Sequence, residues 1–193
     1  MNRLEEFRSH LKQGKVYRRE DLIRWTASVD RHLAILVQEG FLTKLSQGLY
    51  YVPKESVFGK VPPEEEQLVS SFLKDKRFLI FSPNAYNTLG VGTTQLYNLT
   101  VVYNKKRHGI FKLGNREFDF RRKYDFPARL TPEFLFVDLI NNLGDLAEDS
   151  NDILNNALAK YSQVQSPKWI NAVNKYGNVK TKKLLLKSVE SIA

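Results

Sequence analysis

Cysteine is absent from all 193 residues. That one absence excludes disulfides, thiolate metal sites and cysteine nucleophiles together, and it suits a reducing compartment. No run of about 18 apolar residues occurs, so the sequence carries no signature of a membrane-spanning helix. The first residues, MNRLEEFRSHLKQGK, mix both charge signs and lack the apolar centre and small-residue cleavage site of a secretory signal. A cytoplasmic location is the expectation. Catalytic signatures are missing too: there is no HExxH, no P-loop and no G-x-S-x-G.

What is present is enough apolar material, 42% of the chain, to bury a core. At about 150 residues per domain, the length fits one small module and one larger one. The net charge is +9, and its placement is uneven. Nine Lys and Arg face six Asp and Glu in residues 1–53, fourteen face eight in 54–130, and seven face seven in 131–193. A basic excess confined to the first two thirds suits a polyanion, because displaced counterions favour cationic surfaces on phosphates.

Helical spacing of Leu4, Phe7 and Leu11 predicts a first helix over 3–12. Val16-Tyr17 is long enough only for a stub of strand, and Leu22, Ile23 and Trp25 mark a second helix over about 19–25. Val29, Leu33, Leu36 and Val37 recur at i, i+4, i+7 and i+8 between a candidate cap, Ser28, and a stop, Gly40. They predict a third helix whose other face shows Asp30, Arg31, Ala34 and Gln38. Two β-rich runs follow, Phe41–Leu45 and Leu49–Val52, joined by a three-residue loop, Ser46-Gln47-Gly48, in which Gly48 tolerates positive φ.

Helix, stub strand, helix, turn, helix and hairpin is the order of a winged helix-turn-helix. In such a module the third helix enters the major groove while the hairpin reaches flanking phosphates. Arg31 is then positioned for a guanine edge, with Thr26, Ser28 and Gln38 as polar neighbours. Lys44, Ser46 and Gln47 lie on the wing, and Arg18, Arg19 and Arg24 read as a solvated face that also suits contact with phosphate. Val29, Leu33, Leu36, Leu45 and Tyr51 read as core, and His32 as a structural imidazole beside it.

The stretch VPKESVFGKVPPEEEQ, rich in Pro and poor in apolar residues, reads as a linker. It places domains at 1–59 and 60–193. Beyond it, Leu68, Val69, Phe72 and Leu73 give one helix an apolar face, FLIF at 78–81 is a short strand, and Ser82-Pro83 opens a helix that Gly90 ends. Strands over 99–103, 109–113 and 116–120 predict an antiparallel meander within about 78–121. Lys105, Lys106 and Arg107 crowd one of its tips, and Arg121, Arg122 and Lys123 extend past its last strand, together a possible second basic surface. Thr131-Pro132, then Ser150 or Asn151, then Ser166-Pro167 open the first three of four helices in a tail over 131–193, the fourth holding Leu184, Leu185, Leu186 and Val189. The expected fold class is α+β, with C-terminal helices behind a small antiparallel sheet.

Two segments, GLYYVPKESVFGKVPP and SPNAYNTLGVGTTQL, together with this element order, resemble the AbiEi family of antitoxins from type IV (AbiE-type) bacterial toxin-antitoxin systems. The likeness covers most of residues 1–130. Gly48, Tyr50, Tyr51 and Pro53 match the family's wing pattern, and Ala85, Leu89, Gly90 and Gln95 match the second segment. The resemblance implies an N-terminal domain that binds double-stranded DNA at its own promoter and represses its operon. It also implies a C-terminal domain opposing a cognate nucleotidyltransferase-like toxin, directly or indirectly. It supplies no catalytic residue, metal or cofactor.

Two alternatives stand beside it: a winged-helix transcription factor with no toxin partner, and a nuclease-like Mg²⁺-dependent enzyme. For the latter, Glu117, Asp119 and Lys123 are the nearest approach to a metal-binding set, since Glu117 and Asp119 share a strand face. Arg116, Arg121 and Arg122 surround them, so charge pairing explains the pattern more simply.

Overall fold

The structure, a computed structural model, describes residues 2–164 and 166–190, with side chains through Leu186. It is α+β and divides into two compact units. One holds the residues up to Lys76 together with Gly109–Phe118, and the other holds Arg77–His108 with the chain from Asp119 onward.

In the first unit, α1 spans Arg3–Ser9, capped by the Asn2 side chain, which accepts from the Leu4 N–H at 3.3 Å. It stops short of the expected residue 12 because the Lys12 N–H donates instead to the Tyr17 hydroxyl at 2.8 Å, a tertiary bond that competes with another helical turn. β1 (Val16–Arg18) leads directly into α2 (Arg19–Leu22) and a 3-10 turn, Ile23–Trp25. α3 spans Val29–Gln38, with Val29, His32, Leu33 and Leu36 buried along one stripe. Phe7, Leu22, Leu33 and Leu36 are fully buried at the centre of this unit's core, each contributing roughly 1.5–3 kcal/mol through removal from water.

β2 (Thr43–Ser46) and β3 (Leu49–Tyr51) form an antiparallel hairpin, and β1 adds to the free side of β3, giving the order β1–β3–β2. The expected three-residue loop is corrected: Ser46 pairs with Leu49, and the turn is Gln47-Gly48 alone. A register shift between Lys44 and Ser46 absorbs the extra residue. Gly48 sits at φ +72°, the left-handed region its missing side chain permits.

The stretch read as a linker is instead a second antiparallel ribbon. β4 (Lys54–Ser56) pairs with β5 (Gly59–Val61), and every residue of both strands is exposed. Composition misleads here because the two prolines after Val61 follow the strands and do not interrupt them. α4 (Glu65–Leu73) buries Leu68, Val69 and Leu73, and its Gln67 side chain accepts from the Val16 N–H of β1 at 2.8 Å. The remaining piece is the hairpin of β8 (Gly109–Leu113) and the start of β9 (Arg116–Arg122). At its turn the Gly114 N–H donates to the Leu45 carbonyl of β2 at 2.7 Å.

In the second unit, β6 (Phe78–Phe81) pairs antiparallel with β7 (Thr100–Asn104), and the neighbour of β7 on its other side is β9, not β8. The expected consecutive meander is therefore corrected. Asn104 is buried, accepts from the Lys106 and Arg107 N–H groups, and accepts through its carbonyl from Lys123. It ties the 104–108 turn and the end of β9 to β7. The segment Pro83–Leu89 is 3-10, opened by Ser82, whose hydroxyl accepts from Asn84 and whose carbonyl accepts from Ala85.

Four helices complete this unit: α5 (Pro132–Asn141), α6 (Ser150–Val164), α7 (Pro167–Tyr176) and α8 (Val179–Glu190). α5 is central, buried from Phe134 to Ile140, and Thr131 caps it by accepting from the Phe134 N–H at 3.2 Å. Phe136 stacks on Tyr161 of α6 and meets Trp169 of α7 edge-on. The Val189 side chain lies outside the described residues. No helix among the described residues is long and apolar enough to cross a membrane.

Candidate nucleic-acid interface

α3 has a sharp division of faces. Opposite its buried stripe, Asp30, Arg31, Ala34 and Gln38 are all exposed. Arg31 has no ion pair or hydrogen bond among the described residues, so its five donors remain available to an acceptor. Ser28, just before the helix, is exposed and makes no side-chain cap bond. On the neighbouring hairpin Lys44 and Gln47 are exposed.

Other residues of the predicted set are already engaged. Arg18 makes two parallel bonds to Asp21, at 2.8 and 2.9 Å, and lies 3.2 Å from Glu20. Arg19 holds both carboxylate oxygens of Asp30, Nε at 2.6 Å from one and Nη2 on the other. This hydrogen bonding holds the Asp30 carboxyl below the usual carboxylate range. Thr26 Oγ1 lies 3.1 Å from His32 Nδ1 and accepts from the Ser28 N–H at 3.2 Å, fixing the turn before α3. His32 is buried against Phe7, the structural placement its position predicts. Ser46 Oγ is buried without a hydrogen-bond partner among the described residues. The exposed remainder of the predicted set is Ser28, Arg31, Gln38, Lys44 and Gln47.

Local packing orients these elements. The Arg19 N–H donates to the Gly48 carbonyl at 2.9 Å, tying the hairpin turn to the start of α2. The Arg19–Asp30 pair ties that same residue to the first turn of α3. Burial, then the Asp30 charge, pushes the Tyr50 phenol of β3 upward, consistent with β3 lying near this junction. Hairpin, α2 and α3 therefore meet at one corner, joined through Arg19.

The outer edge of β2 borders a cleft of about 500 Å³. Lys44, Lys60 and Arg116 line it beside Leu45, Leu68 and Leu113. Arg116 pairs with Glu65 at 3.1 Å, and Lys60 Nζ donates to the Gly40 carbonyl just past α3 at 2.7 Å. Lys60 joins the basic ground around α3 only through folding, for in sequence it sits twenty positions from Gly40.

The chain belongs to the DUF6088 family. That family, whose function is unknown, matches residues 3–131, which takes in the unit just described from the first residue of α1 onward. No curated protein and no solved structure matches the chain.

In this DUF6088 protein the possible second basic surface divides into two kinds of residue. Lys105, Lys106, Arg107 and Arg122 are exposed. Arg121 bonds Asp119 at 2.7 Å and Asp145 at 3.0 Å, which also takes up Asp119. Lys123 reaches the buried carboxylate of Asp138 on α5 at 2.9 Å and lies 4.1 Å from the centre of the Tyr103 ring. Tyr103 donates to both Asp138 oxygens and Tyr86 to one, at 2.8 to 2.9 Å. Burial, then the charge of Asp138, pushes both phenols well above their ordinary range. Asp138 went unnoticed in sequence although it carries a signal: it is one carboxylate within the apolar run FLFVDLI. Among the described residues no group of three or more His, Cys, Asp or Glu is gathered as a metal site.

Proposed function

We propose that this protein binds duplex DNA through its first unit, a winged helix-turn-helix in which α3 reads the major groove and the β2–β3 hairpin meets backbone phosphate. One observation carries the reading: α3 presents an exposed polar stripe, with Arg31 unpaired among the described residues, directly opposite the stripe that anchors it. The strand order β1–β3–β2 around that helix and the basic excess over residues 1–130 support it.

The resemblance carried by the two quoted segments extends this reading to a cytoplasmic antitoxin that represses its own promoter and opposes a nucleotidyltransferase-like toxin. We assign no catalytic step, since Asp119 and Lys123 are occupied by Arg121 and Asp138. The test is gel retardation of the DNA upstream of its own gene against random DNA over a salt series. Preferential retardation that weakens steeply with salt is expected. Equal retardation of both DNAs overturns a sequence-reading role, and rescue of growth on co-expression with an adjacent toxin gene tests the antitoxin part.

A further inference from the structure

The β4–β5 ribbon ends in two apolar side chains that the fold leaves bare. Val57 is 94% exposed and Phe58 99%, both in the two-residue turn between Ser56 and Gly59, which face each other across the strands. The turn is pinned. Ser56 Oγ accepts from the Phe58 N–H at 3.2 Å and donates to the Gly59 carbonyl at 2.8 Å, while Gly59 takes φ +101°. At its base the ribbon is anchored by Tyr51, whose hydroxyl donates to the Val61 carbonyl at 3.0 Å.

The size of the tip bears on what it contacts. A specific protein interface buries about 800 Å² from each partner, whereas one aromatic side chain buries only about 150–250 Å². Two side chains at the end of a thin ribbon are too little for protein docking by themselves. They are the right amount for an apolar wedge placed between two base pairs, a contact in which cationic residues on the same arm hold the phosphates. The ribbon's base meets that second requirement. Lys54 and Lys60 stand on its two strands, with one carboxylate, Glu55, opposite Lys60; the Lys60 ammonium donates to the Gly40 carbonyl just past α3, and Lys60 shares the cleft lining with Lys44 of the wing. The apolar tip is thus continuous with the basic ground around α3.

We propose that the β4–β5 ribbon is a second DNA-binding arm, with Phe58 inserted at a minor-groove base step beside the site read by α3. The inference rests on the first unit binding DNA, as argued above. An inserted ring unstacks the step and bends the duplex, which is what separates a wedge from a phosphate contact.

The test uses the full chain and end-labelled duplex from upstream of its own gene, with bending read by energy transfer between the ends and affinity by retardation. Wild type is expected to bend the duplex. Phe58→Ala is expected to bind roughly tenfold more weakly, to lose the bend, and to keep the salt slope, because no phosphate contact is removed. Phe58→Leu is expected to retain the bend. The ring is 99% exposed among the described residues, so thermal unfolding of both variants should match wild type. Binding by wild type without a bend, or bending by Phe58→Ala equal to wild type, overturns the wedge and leaves DNA binding standing. Failure of wild type to retard any duplex overturns both. Loss of co-sedimentation with phosphatidylglycerol vesicles in Phe58→Ala, with DNA bending unchanged, overturns the wedge in favour of a lipid surface.

Discussion

Arg19, at the first position of α2, grips both carboxylate oxygens of Asp30, in the first turn of α3. The corner where hairpin and helix meet therefore carries its own internal counterion. A phosphate approaching there meets a neutral pair in place of a bare guanidinium. Asp30→Ala releases Arg19 and removes a negative charge from the exposed face of α3. Tighter binding to all duplexes is expected, with the salt slope steeper by about one. Fluorescence anisotropy at several salt concentrations checks this, and an unchanged slope would show that the corner lies away from DNA.

Arg31 and Lys44 are exposed on different elements and should fail differently. Arg31→Ala is expected to cost about 1–3 kcal/mol on the cognate site and to relax sequence preference. Lys44→Ala should weaken cognate and random duplexes evenly and flatten the salt slope by about one. Competition titrations with both DNAs separate the two, and equal losses on both DNAs from both variants would refute the division of labour.

The Asp138 carboxylate holds two tyrosines and a lysine inside the second unit. Removing it strands all three partners, so Asp138→Ala is expected to destabilise by about 3–5 kcal/mol. Tyr86→Phe removes one donor and leaves the carboxylate with Tyr103 and Lys123, so about 1 kcal/mol is expected. Urea unfolding read from the two Trp residues measures both. Comparable losses from the two substitutions would mean that the carboxylate is not the hub.

The same cluster sets an alkaline limit. Tyr86 and Tyr103 have phenol pKa values raised in the folded state, so the unfolded chain releases those protons first. Their contribution to stability is full below the unfolded value of about 10 and falls as pH rises above it, by about 1.4 kcal/mol per pH unit for each tyrosine. Relative to wild type, Tyr86→Phe should therefore lose stability less steeply above that pH. Parallel curves for the two proteins would place Tyr86 in contact with water.

Much of this protein was legible wherever a signal is local. Ser82-Pro83 and Thr131-Pro132 mark starts that the structure keeps, because cap and first turn lie within a few residues of each other. The stripe of Val29, Leu33 and Leu36 told which side of α3 is buried, and hence that Arg31 and Gln38 face outward. The β4–β5 ribbon was missed because its turn, Val57-Phe58, has none of the residues that usually announce a hairpin loop, and the prolines around it read as a linker.

Composition and periodicity, then, determined the α+β class, most of the helices and strands, and the concentration of positive charge in the first two thirds of the chain. Only the tertiary structure decided which of those charges remain available. Arg19 is paired by a residue eleven positions away and Lys123 by one fifteen positions away, whereas Lys60 is brought beside a carbonyl twenty positions away with its charge unpaired among the described residues. The physical reason is range: caps and amphipathic stripes form between near neighbours, whereas ion pairs and strand order depend on which distant segments the folded core brings together.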